Sequence, residues 1–376
     1  MGTQPRTAAP VQIAVVTVLL LLSACGGGGN NVASHSPAAS ASPSAGASAA
    51  ATPSGSPAPR PVTGWFGVLV GSQAASTYNV SVVAVDGRVA ASAEASTPPV
   101  TSCGSAAAAP YPLPVSTSDT RVYFMDAQGV IHFLGPAGDS GRVTTVPAPT
   151  ASRRATFAVS PDDRRIAVVV ATYSTTGAST SLYVEDLNGG RNHINLFSET
   201  GSRTLWAVGW HGINNLVVGV VVTCTQGGGP LCCGIGELHV VDPATATRRF
   251  TLGSFSSCPI AGPASPAGVV CQSSNSQATW LNWTGGTVRS LAINGPSRLF
   301  VSPKGGFVAM VDNTGTSFTI GAPSISQMLA CAWIDDTHVL SGGDPQHQPR
   351  VAEVVSSTIV PVPASGDCGG RIPGGL

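Results

Sequence analysis

Ser160-Pro161-Asp162-Asp163-Arg164-Arg165 separates the apolar strand end Phe157-Ala158-Val159 from the β-branched run Ile166-Ala167-Val168-Val169-Val170. After a polar loop the chain resumes as Leu182-Tyr183-Val184-Glu185-Asp186 and turns again at Leu187-Asn188-Gly189-Gly190. Pro161 presets φ for the first turn, Asp162 can bond its own backbone, and Gly189 or Gly190 supplies the positive φ of a hairpin. The stretch predicts strand, tight turn, strand, loop, strand, tight turn. One such unit cannot bury its own faces, so it is stable only as one copy among several.

Copies of the first turn recur along the chain. Val115 to Phe124 aligns without gaps on Val159 to Val168, 44 residues earlier, and Val301-Ser302-Pro303-Lys304-Gly305-Gly306-Phe307-Val308-Ala309 repeats it 142 residues later. Looser copies are Gly209-Trp210 before Leu216, Ser265-Pro266 before Val269, and Trp333-Ile334-Asp335-Asp336 before Val339. A companion turn with an aspartate at a strand end recurs at Asp86, Asp126, Asp186, Asp242 and Asp312. Trp65 to Ala95 has that companion but no copy of the first turn, which makes it a candidate seventh unit closed by strands from the C-terminus.

Residues 63–376 divided by seven give about 45 residues per unit, the size of a four-stranded propeller blade. Seven blades are therefore favoured and six, at about 52 residues each, remain open. Val217 to Val222 and Val80 to Val85 are short and β-branched with turn residues around them, as strands are. The fold expected is all-β, a propeller rather than a sandwich, because the repeated turn and unit length argue against two stacked sheets.

Val159-Ser160-Pro161-Asp162-Asp163, Ile166-Ala167 and Leu182 to Gly190 together resemble the repeat of TolB-type, WD-like β-propellers. The match covers about one blade, and Asp163 stands where that repeat has glycine. The resemblance implies an extracytoplasmic scaffold that presents loops and a central channel to a partner or ligand.

Residues 1–24 carry Arg6 and then the apolar run Val11 to Leu22, too short for a bilayer span but suited to a signal peptide. The run ends in Leu22-Ser23-Ala24-Cys25, which resembles the lipobox of bacterial lipoproteins and implies lipidation of Cys25. Residues 25–62 are rich in Gly, Ser, Ala and Pro and cannot bury enough surface to offset ordering, so a disordered tether is expected before the domain at 63–376. Localisation at the cell membrane, lipid-anchored on the extracytoplasmic face, follows.

Charged residues are 10% of the chain and the net charge is zero, which points away from nucleic acid. Lys304 is the only lysine, which removes the P-loop and makes Schiff-base chemistry unattractive. With Cys25 assigned to lipid, Cys103, Cys224, Cys232, Cys233, Cys258, Cys271, Cys331 and Cys368 form an even set and read as disulfides in an exported protein. Cys258 with Cys271, across adjacent strands, and Cys224 with Cys232 or Cys233, across a hairpin, are the expected pairs. The spacing does not match a zinc site, and neither metal nor cofactor is expected.

Gly138-Asp139-Ser140-Gly141 resembles the nucleophile segment of chymotrypsin-like proteases, but His132 is too near to serve as its base and the segment reads as a turn. No GxSxG elbow exists, and the histidines are dispersed. Asp162, Asp163, Asp335 and Asp336 occupy matching turns and are the candidate channel or rim residues. Trp206, Trp210, Trp280, Trp283 and Trp333 are expected to pack between blades. The functional expectation is a monomeric, non-enzymatic scaffold for a protein or envelope ligand. The alternative is a hydrolase or lyase of envelope polysaccharide that uses carboxylates at the channel.

Overall fold

The computed structural model describes residues 58–103, 111–224, 234–295, 297–312, 314–319, 324–326, 328–343 and 347–376. All lie in one compact unit, Pro53–Leu376. Cys25, the segment 25–57, Cys232 and Cys233 fall outside the described residues.

The described residues contain strands and no helix. β1 (Phe66–Val70), β2 (Thr77–Ala84) and β3 (Val89–Ser96) are the first strands of the described residues and belong to blade 7. Blade 1 follows as β4 (Val115–Thr117), β5 (Val122–Met125), β6 (Val130–Leu134) and β7 (Ser140–Thr145). Blade 2 is β8 (Arg153–Val159), β9 (Arg165–Ser174), β10 (Gly177–Asp186) and β11 (Ile194–Gly201). Blade 3 is β12 (Arg203–His211), β13 (Asn215–Val222), β14 (Glu237–Val241) and β15 (Arg248–Gly253). Blade 4 has three strands, β16 (Val269–Ser274), β17 (Gln277–Leu281) and β18 (Thr287–Ala292); its innermost place is held by a bridge from Ile260 to Cys271. Blade 5 is β19 (Arg298–Val301), β20 (Val308–Asp312), β21 (Gly315–Phe318) and β22 (Ile325–Ser326). Blade 6 is β23 (Ala330–Trp333), β24 (His338–Ser341), β25 (Arg350–Glu353) and β26 (Thr358–Pro361).

The last strand, β27 (Asp367–Ile372), returns to pair antiparallel with β1 and completes blade 7. The protein is thus a seven-bladed propeller, and its ring is closed by joining the two ends of the domain. The inner ring is made by the first strand of each blade: β27 packs on β4, β4 on β8, β8 on β12, and β23 on β27. Gly369 allows the closure, since a Cβ there would meet Val70 Cγ2 at 2.7 Å and Val115 Cγ2 at 3.0 Å.

The unbroken β-branched run in β9 has a direct cause. A blade is buried on both faces, so alternate residues must all be apolar. Ile166 and Val168 join the cluster with Tyr123 and Phe133 of blade 1, whereas Ala167 and Val169 join Trp210 and Leu216 of blade 3. Each of the seven blade interfaces carries one such cluster. The indoles of Trp210 and Trp333 repeat one arrangement, each donating to the inner strand of the preceding blade, at Ala158 O (3.0 Å) and Phe300 O (3.1 Å).

The companion aspartates divide into two sets. Asp86, Asp186 and Asp242 follow the third strand of their blades, whereas Asp126 and Asp312 follow the second, at the opposite end of the sheet. Both hairpins end an apolar strand with an aspartate that accepts turn N–H groups, so the sequence pattern merges them.

Candidate functional site at the first-turn face

The six first turns found in the sequence join the first and second strands of blades 1 to 6, and therefore lie at one mouth of the ring. Four of them hold a buried serine: Ser118, Ser160, Ser265 and Ser302. Its hydroxyl accepts turn N–H groups, as Ser160 Oγ does from Arg165 N (2.9 Å) and Ser302 Oγ from Phe307 N (3.1 Å). A buried N–H without a partner is costly, and serine is the smallest side chain that can supply an acceptor there.

The four candidate aspartates stand on the first turns of blades 2 and 6. Asp162 accepts from Ser160 Oγ at 2.6 Å and pairs loosely with exposed Arg164. Asp163 is buried at φ +58°, a left-handed conformation that disfavours residues other than glycine. It is held there because its carboxylate reaches back to blade 1 and accepts from Thr120 Oγ1 (2.6 Å) and Tyr123 Oη (2.7 Å). Asp335 caps its own turn at Thr337 N (2.8 Å) and lies 2.9 Å from His338 Nδ1. Asp336 reaches back to blade 5, accepting from Lys304 N at 2.5 Å and pairing with Lys304 Nζ at 3.2 Å. Asp163 and Asp336 are therefore matching braces between neighbouring blades.

Two further groups at this mouth carry no sequence signal. Arg371, at the end of β27, is 7% exposed and within electrostatic reach of Asp336 and Asp119. Burial outweighs those charges and pushes its guanidinium down to about 10. Asp119 is exposed as a residue, yet its carboxyl is tucked against the backbone of Gly375. This desolvation raises its pKa and the charge of Asp163 adds to the rise, against the Gly375 N–H that favours the ionised form.

Residues 373–376 continue from β27 along this rim. Gly374 N donates to Ser118 O of blade 1 (2.8 Å), and Leu376 N donates to Trp210 O of blade 3 (2.8 Å). Gly375 O accepts from Arg371 Nη2 (2.7 Å), and Leu376 O accepts from His211 Nδ1 (2.6 Å).

Cys258 pairs with Cys271 across the innermost bridge of blade 4, as the sequence suggests. Cys224 pairs instead with Cys103, correcting the hairpin expectation. The connection after β3 crosses the neighbouring loops, with Ser102 N on Ala151 O (3.0 Å), and so carries Cys103 to the end of blade 3. Cys331 of β23 is bonded to Cys368 of β27, fastening the closing strand to blade 6. Cys331, Asp367 and Cys368 form the one metal-compatible group among the described residues, but their two sulfurs are joined to each other. Gly138 to Ser140 is a turn leading into β7, where Asp139 pairs with buried Arg121 at 3.3 Å. A cleft of 350 Å³ lined by Ile293, Asn294, Ser297, Met310, Asp312 and Ser317 lies between blades 4 and 5, with Asp312 as its carboxylate.

No protein-family model and no curated protein matches the chain. Among solved structures it is similar to apo AztD from Citrobacter koseri, at 12% identity and a TM-score of 0.44 over 82% of this chain and 97% of that one. It is also similar to a protein of unknown function from Bacteroides caccae, at 8% identity and a TM-score of 0.41 over 82% and 98%. An oligogalacturonate lyase in complex with manganese matches at 10% identity and a TM-score of 0.35 over 79% and 76%. At these values the likenesses carry no functional argument, and the fold rests on the strand order itself.

Proposed function

We propose that this chain is a monomeric, lipid-anchored propeller on the extracytoplasmic side of the membrane, binding a protein or envelope ligand without transforming it. The anchor rests on Leu22-Ser23-Ala24-Cys25. The observation that carries the binding reading is the use of the aspartates: Asp163 and Asp336 bond to the preceding blade, and Asp162 and Asp335 bond within their own turns. Carboxylates so engaged are poor acids and bases for a bound substrate. Propeller mouths offer rigid turns around a recess, and exposed Ile213 on the blade 3 turn adds an apolar contact point.

A photo-crosslinking residue at Ile213 in the anchored protein tests this reading, with Val100, exposed on the opposite face, as control. One recurrent adduct from position 213 and none from position 100 is expected. Identical patterns from both positions, or no adduct, would overturn it. Cys25→Ser is expected to move the protein to the soluble fraction.

A second reading, cleavage of envelope polysaccharide, draws on Asp119. A carboxyl with a raised pKa beside other aspartates suits a general acid. Gly375 lies against that carboxyl, which favours the binding reading.

A further inference from the structure

Residues 373–376 run along the rim from blade 1 to blade 3. Four hydrogen bonds engage the main chain of this segment: Gly374 N to Ser118 O, Leu376 N to Trp210 O, Arg371 Nη2 to Gly375 O and His211 Nδ1 to Leu376 O. Gly374 and Gly375 contribute no side chains, and Leu376 supplies an apolar anchor at position 376. Leu376 packs on the cluster that contains Val217, Val269 and Trp283, while His211 stacks on Trp283 at 5.1 Å. Gly209 makes room for it. A Cβ at Gly209 would meet Leu376 Cδ1 at 2.6 Å, Cγ at 3.0 Å and Cδ2 at 3.8 Å, the three nearest atoms. The space opposite Gly209 is therefore a leucine-sized pocket.

Main-chain bonds plus one apolar pocket is how extended peptides are recognised, with affinity from the backbone and specificity from the pocket. Nothing in these contacts requires the peptide to be covalently joined to β27. We infer that this rim is the partner-binding groove of the propeller, that it takes an extended peptide with a leucine side chain in the Gly209 pocket, and that residues 373–376 occupy it as an internal competitor. This rests on the binding reading proposed above. A tethered segment acts at an effective concentration of about millimolar, so an incoming peptide must outcompete it.

The test uses a fluorescein-labelled Pro-Gly-Gly-Leu peptide, the sequence of residues 373–376, with anisotropy as the readout. The protein lacking 373–376 should bind it saturably, and the intact chain at least about tenfold more weakly, by the fraction of time the groove is open. Gly209→Val in the shortened protein should fill the pocket and abolish binding. If shortening prevents folding, Leu376→Ser in the intact chain replaces it, with the same expectation of stronger peptide binding than wild type. A folded shortened or Leu376→Ser protein that binds no peptide, equal binding by the intact chain, or binding unaffected by Gly209→Val would overturn the inference. A crosslinked partner at Ile213 combined with any of those results would sink the groove alone; absence of the partner would sink the binding reading itself.

Discussion

Tyr123 of blade 1 donates its hydroxyl to the carboxylate of Asp163 of blade 2 at 2.7 Å, and this bond explains why an aspartate occupies a backbone conformation suited to glycine. Asp163→Gly relieves about 1 kcal/mol of backbone strain. It also leaves the buried Tyr123 hydroxyl without its acceptor, at a cost of about 1–3 kcal/mol. The variant should therefore be less stable than wild type, and adding Tyr123→Phe should recover part of the loss. Denaturant unfolding of the two single variants and the double variant checks the coupling.

Asp336→Asn is expected to matter less. Its partner Lys304 has a side chain 82% exposed, and pairs of that kind contribute at most about 1 kcal/mol. A denaturant midpoint shift larger than that of Asp163→Gly would contradict the distinction between the two braces.

The disulfides should rank by the loop each closes. With separations of 121, 37 and 13 residues, loop entropy gives about 5 kcal/mol for Cys103–Cys224, about 4 for Cys331–Cys368 and about 3 for Cys258–Cys271. Paired Cys→Ser variants unfolded under non-reducing conditions test the order.

Trp210 and Trp333 hold neighbouring blades by packing and by one hydrogen bond each. Trp333→Phe keeps most of the packing and should cost about 1 kcal/mol. Trp210→Ala removes a side chain that is 1% exposed and should cost about 3–5 kcal/mol. Thermal unfolding separates the two.

Stability should also depend on pH through His338. Its hydrogen bond to Asp335 raises the imidazole pKa above 6.5, although burial opposes this. The stabilisation is fully present below 6.5 and is lost as pH rises through the raised folded value. His193 beside Glu185 acts in the same direction. His239 acts oppositely, because burial lowers its pKa and folding loses stability as pH falls below 6.5. His338→Gln should remove this group's share of the fall in unfolding midpoint as pH rises above 6.5.

The blade plan was legible because interblade packing forces β-branched runs such as Val168 to Val170 and because Ser160, Ser265 and Ser302 mark first turns. The Val115 alignment found the correct second strand but not the length of the turn. Ser118 N pairs with Arg121 O, whereas Ser160 N pairs with Arg165 O, so blade 1 turns in two residues fewer. Asp163 was visible as an oddity, but the hydroxyl donors that hold it, Thr120 and Tyr123, lie on another blade. Cys103–Cys224 depends on the path of a connecting loop, which no local spacing encodes. Residues 373–376 escaped notice because two glycines and backbone bonds leave no pattern of side chains.

The proposed function requires that Asp163 and Asp336 brace blades and that the first-turn face bind without cleaving. Release of reducing or unsaturated ends from envelope polysaccharide, measured for wild type and for Asp119→Asn, Asp162→Asn, Asp163→Asn, Asp335→Asn and Asp336→Asn, tests it most directly. The predicted result is no release above background by wild type, with Asp163→Asn lowering only stability. Depolymerisation by wild type that disappears in any of these variants while its unfolding midpoint is unchanged would contradict it.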